Sequence, residues 1–116
     1  GPQWVQLDFD KPQEIYTIVI WHAFDSLKVC RCVVVQAAED ADMVENVRTL
    51  FNNDNKNILD LGTGINREYF ESNEGKLLDT RGAKAKSLRF YSAGSSSTKL
   101  NEYTEIEVYG RAAREN

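Results

Sequence analysis

Period-two alternation runs through most of this chain and restricts it to β structure. Trp4, Gln6 and Asp8 alternate with Val5, Leu7 and Phe9, the pattern of a strand with one face toward a core. Glu14 to Ala23 is rich in β-branched and aromatic residues and reads as a second strand after the turn Asp10-Lys11-Pro12. Lys28 to Ala37 follows, its Val33-Val34-Val35 run implying burial on both faces. Arg48 to Phe51, Glu68 to Glu71, Lys76 to Asp79, Lys84 to Ser92 and Glu102 to Tyr109 complete the set. Asp40 is placed to cap a short helical turn through Met43 and Val44, the one helix expected. About seven or eight short strands with regular turns predict an all-β, antiparallel β-sandwich. The 116 residues fit one domain, here 1–110, and the polar tail 111–116 is expected to fray.

Composition narrows the function. The chain is 41% hydrophobic and 28% charged, ordinary for a globular domain. No apolar run approaches a membrane span, and no signal peptide is legible. The first residues, Gly1-Pro2, read as a cleavage scar or a native turn. The net charge of −4 gives no overall basic footprint for nucleic acid. Arg81, Lys84, Lys86 and Arg89 form a local basic set, read as a solvated strand face. Cys30 and Cys32 lie two apart on one strand, poorly spaced for a disulfide and without partners for zinc, so they read as free thiols.

Ile58-Leu59-Asp60-Leu61-Gly62-Thr63-Gly64 resembles the glycine-rich cofactor loop of methyltransferases. Asn66 stands at the third glycine and no amphipathic helix follows, so two turn glycines account for it. His22 is the only histidine, there is no Gly-x-Ser-x-Gly elbow, and no carboxylate pair stands out as acid and base. The expectation is therefore a binding domain and not an enzyme. Asn52 to Asn57 is rich in side-chain oxygens of the kind calcium favours, but its spacing is not that of an EF-hand.

Five segments carry a resemblance to a family. These are Trp4 to Phe9, Ile15 to Trp21, Lys28 to Gln36, Ala85 to Phe90 and Thr104 to Gly110. In this order they resemble the strands of discoidin domains, also called coagulation factor five/eight type C domains. Trp21-His22, Phe51-Asn52-Asn53-Asp54, Tyr91-Ser92-Ala93-Gly94 and Asn101-Glu102-Tyr103 are similar to a bacterial subgroup, the carbohydrate-binding modules of family thirty-two type. The resemblance implies a galactose-binding-domain-like jelly roll that lacks the usual N-terminal segment. It implies a sugar site on loops at one end, built from Trp21, His22, Asn52, Asn53, Asp54, Tyr91, Asn101 and Tyr103. Trp21 or Tyr103 would stack on the sugar, while His22, Asn52 and Asn101 would bond its hydroxyls; burial in the core is the competing role for Trp21. In the family a structural calcium sits at the position matching Glu105, shared with a loop this sequence lacks; no cofactor is otherwise required. The implied partner is glycan, bound weakly by a module of a larger secreted or surface protein, extracellular or periplasmic in a bacterium. The rival reading is a scaffold domain binding neighbouring domains or a protein partner.

Overall fold

In the computed structural model, residues 3–22, 29–30, 33–70, 74–92 and 103–113 are described. They form seven strands: β1 (Gln3–His22), β2 (Val29–Cys30), β3 (Val33–Ala38), β4 (Arg48–Asn52), β5 (Tyr69–Phe70), β6 (Lys76–Ser92) and β7 (Tyr103–Ala112). All pairings are antiparallel. Five strands make one sheet in the order β4-β3-β6-β1-β7, and β2 pairs with β5 separately. The all-β antiparallel architecture expected from the alternation is the one observed.

Two strands are longer than the alternation implies. The breaks expected at Asp10-Lys11-Pro12 and between Asp79 and Lys84 are corners inside β1 and β6. A straight strand of 20 residues would span roughly 65 Å, yet the longest dimension of the molecule is 46 Å. The β1–β6 register jumps between Asp8 and Gln13. That gap contains Pro12, which has no N–H to give a ladder. Opposite, Arg81 and Gly82 are both left-handed, at φ 54° and 78°, turning β6 sharply. Thr80 Oγ1 donates to the Ile15 carbonyl at 2.6 Å and ties the corners together. Bends of this kind let one strand serve two layers. The first half of β1 lies with the second half of β6, β3 and β4. The second half of β1 lies with the first half of β6 and β7.

The core lies between these layers. Ile15, Ile18, Ile20 and Leu78 from one layer join Val33, Val35, Phe51, Leu88 and Phe90 from the other in a single buried cluster. Ile18 and Ile20 have no exposed surface, which a lone sheet could not achieve. Each such side chain contributes about 1.5–3 kcal/mol on burial.

One local expectation is corrected. Asp40 Oδ1 does accept the Val44 and Glu45 N–H groups, at 2.9 and 2.8 Å. However, Met43 is left-handed at φ 58°, so the segment is a turn without a helix. At the C-terminal end, β7 continues to Ala112. Arg111 Nε meets Glu14 Oε1 at 2.7 Å, and the Ala113 N–H reaches the Pro12 carbonyl at 2.9 Å. Among the described residues no helix is long and apolar enough to cross a membrane.

Candidate functional site

The expected sugar-binding residues fall into groups that the fold treats differently. Asn52, Asn53 and Asp54 close β4 and are buried. Asn53 exchanges bonds with β3: its N–H reaches the Val33 carbonyl at 3.1 Å, and its Oδ1 accepts the Val33 N–H at 2.7 Å. Asn52 accepts the Asp54 N–H on Oδ1 at 2.8 Å and donates Nδ2–H to the Gly62 carbonyl at 3.0 Å. Asn52 and Asn66 also pair, backbone to side chain at 2.8 Å and backbone to backbone at 2.9 Å. Asp54 accepts the Ile58 and Leu59 N–H groups, one on each side-chain oxygen, at 2.9 and 2.8 Å. These side chains replace a regular ladder for residues 54–66, whose turns would otherwise leave buried amides unpaired.

The three polar residues read from sequence as sugar ligands thus face into their own loop. Tyr91 follows them: 8% exposed, it packs with Val34 and Leu59 and accepts a hydrogen bond from Arg89 Nη1 at 3.3 Å. The glycine-rich stretch Ile58 to Gly64 belongs to this loop. Gly64 passes so close to Asn52 and Asp54 that no side chain fits there. No strand-to-helix turn is present.

The other group gathers where β1 ends. His22 and Tyr103 are cross-strand partners, and Trp21 stands opposite Glu105. Trp21 is half-buried, its indole lying across Gly75. A Cβ at Gly75 would meet the ring at 2.7 Å, and this glycine is left-handed at φ 79°. The turn before β6 therefore needs glycine twice, for its backbone and for the ring. His22 and Tyr103 are described through their backbone pairing alone, and Asn101 and Cys32 lie outside the described residues.

Glu105 is exposed on β7, which forms one edge of the sheet. Its carboxyl is raised above the ordinary range, first by a hydrogen bond with Glu107, then by desolvation and by the neighbouring charge. Tyr109 Oη donates to Glu107 at 2.6 Å, and this bond holds the phenol proton on, raising its pKa. No group of three His, Cys, Asp or Glu side chains gathers among the described residues.

Sequence reasoning missed a cluster on the outer face of the other layer. Arg89, read as solvated, is part-buried, with Cζ 4.0 Å from the Trp4 ring centroid. Trp4 itself is 51% exposed. Beside β4, a groove of about 450 Å³ runs between Leu50, Phe51 and Asn52 and the loop residues Leu61, Ile65 and Asn66.

With this geometry in view, the likenesses to known proteins are informative about fold. No protein-family profile and no curated protein matches the chain. Solved structures of a family 89 glycoside hydrolase from Clostridium perfringens do. One is a complex with its substrate GlcNAc-alpha-1,4-galactose and another a complex with PUGNAc. Each aligns at a TM-score of 0.68 and 17% identity, over 94% of this chain and 10% of the hydrolase. The chain therefore shares the fold of a small segment of that enzyme and spans about a tenth of its length.

Proposed function

We propose that this domain is a non-catalytic carbohydrate-binding module of discoidin type, attaching a larger secreted or surface protein to glycan. The observation that carries the reading is the alignment of nearly the whole chain with a tenth-length segment of a glycoside hydrolase. It supports a role as an accessory domain within a large carbohydrate-active protein. The contact set is Trp21, His22, Asn101 and Tyr103. Trp21 offers a half-buried ring on a glycine floor, and His22 and Tyr103 are neighbours across β1 and β7. Asn52, Asn53, Asp54 and Tyr91 serve as the frame. One stacked ring with one or two hydrogen bonds gives a dissociation constant of about 0.1–1 mM, effective through tethering and avidity.

Calorimetric titration with galactose- and N-acetylhexosamine-containing oligosaccharides tests this reading. The Tyr103→Ala, Asn101→Ala double variant is expected to retain its circular dichroism spectrum and lose binding at least tenfold. Unchanged affinity in that variant would remove these residues from the site. The scaffold reading keeps one support, the sheet edges at β4 and β7, where a protein segment can add a strand. Micromolar binding to a protein partner, with no affinity for any glycan, would favour it.

A further inference from the structure

The Trp4–Arg89 cluster is built more carefully than a solvated strand face requires. Trp4 and Tyr91 are cross-strand partners on β1 and β6, and so are Gln6 and Arg89. Gln6 Oε1 accepts from Arg89 Nε at 2.8 Å and also from Nη2, while Nη1 donates to Tyr91 Oη at 3.3 Å. Gln6 is fixed in turn, its Nε2 donating to Asp8 Oδ1 at 2.9 Å and to the Ala41 carbonyl at 2.7 Å. The guanidinium therefore has a fixed plane and lies against one face of the indole.

This cation lacks a direct counter-ion among the described residues. Asp8, the acid nearest in register, accepts instead from Gln6 and from Ser87 Oγ, the latter at 2.6 Å. Guanidinium has five N–H donors, and Gln6 and Tyr91 take three. One N–H of each terminal nitrogen has no acceptor among the described residues, and such donors suit a carboxylate. The uncovered side of Trp4, half of the residue, is open to an apolar sugar face. Exposed Lys86 adds a second positive charge near Asp8.

We propose that Trp4 and Arg89 form a second ligand site, which takes an acidic oligosaccharide such as an oligouronate. The indole stacks its exposed surface on one sugar ring, and the free N–H groups of the guanidinium, which covers the other face of the indole, hold the carboxylate of the neighbouring residue. A neutral sugar makes only the first contact. The site is independent of the Trp21 group, which lies at the other end of β1, and stands or falls separately from it.

Two-dimensional NMR of the whole ¹⁵N-labelled chain, titrated with trigalacturonate and with galactotriose, tests this. Trp4→Ala removes one indole signal and so assigns it. The expected result is a saturating shift of the Trp4 indole N–H by trigalacturonate, with a dissociation constant of about 1 mM. Galactotriose should bind there at least tenfold more weakly. Arg89→Gln should abolish the preference for the acidic sugar; should it not fold, Arg89→Lys, which keeps the charge without the fork, should weaken uronate binding at least tenfold. Trp4→Ala should lose uronate binding while leaving any binding at the Trp21 group intact. A Trp4 indole that does not move with trigalacturonate, or moves equally with galactotriose, would overturn the proposal. So would a shift produced by an acidic peptide but not by the uronate.

Discussion

Replacing Asp54 with alanine is expected to destabilise the domain by about 3 kcal/mol. The side chain is fully buried, and its two oxygens take the N–H groups of Ile58 and Leu59. A methyl group leaves both donors without an acceptor. Stranding one buried polar group costs about 1–3 kcal/mol, and Leu59 is itself buried, so water cannot readily replace the bond there. The loss should be read as a fall in the urea midpoint at unchanged slope. Asp54→Asn should recover only part of it, since an amide keeps one oxygen and turns an N–H toward the other donor. A loss below about 1 kcal/mol for Asp54→Ala would mean that the loop is held by its apolar contacts instead.

Gly64→Ala is expected to cost as much or more, about 3 kcal/mol, for a steric reason. The added Cβ would overlap Asn52 Oδ1 and come within 2.6 Å of the Asn52 carbonyl oxygen and the Asp54 nitrogen. Two of these atoms are backbone and the third is held by its own hydrogen bonds, so the loop must shift as a unit. Overpacking of this type costs about 1–3 kcal/mol and occasionally more. Gly62→Ala provides the contrast. No atom lies within 4 Å of its would-be Cβ, but the residue sits at φ 109°, so only backbone strain of about 1–2 kcal/mol applies. Thermal unfolding of the two variants should rank Gly64→Ala well below Gly62→Ala. The reverse order would place the tight point of the loop elsewhere.

Alternation revealed β1 because it has one buried face, as Ile18 and Ile20 show, while β3, buried on both, showed instead as the continuous run Val33-Val34-Val35. It could not distinguish a strand end from a corner. Pro12 and Arg81-Gly82 mark chain direction changes either way, and only the fold shows β1 and β6 continuing through them. At Asp40 the capping signal was correct and its consequence was not, because left-handed Met43 diverts the chain. The site was less legible for a related reason. Oxygen-rich Asn52-Asn53-Asp54 reads equally well as a ligand set or as a loop frame. The choice depends on whether those oxygens meet solvent or the amides of residues 33, 54, 58 and 59. The apolar Ile58, Leu59 and Leu61 soon after are the one sequence hint that the loop folds back. Arg89 was misread because alternation assigns a face without naming neighbours, and Gln6 is 83 positions away in sequence. Trp21-His22 closes β1, where His22 pairs in register with Tyr103 of β7.

The proposed role of the β1–β7 end is to bind neutral glycan without cleaving it. A titration of the ¹⁵N-labelled domain with GlcNAc-alpha-1,4-galactose, mapped by amide shifts, addresses it most directly. Saturating shifts are expected at residues 21, 22, 101 and 103, with little change at 52–54 and an intact disaccharide at the end. Shifts centred on 52–54, no saturation with this or related neutral glycans, or cleavage of the disaccharide would contradict it.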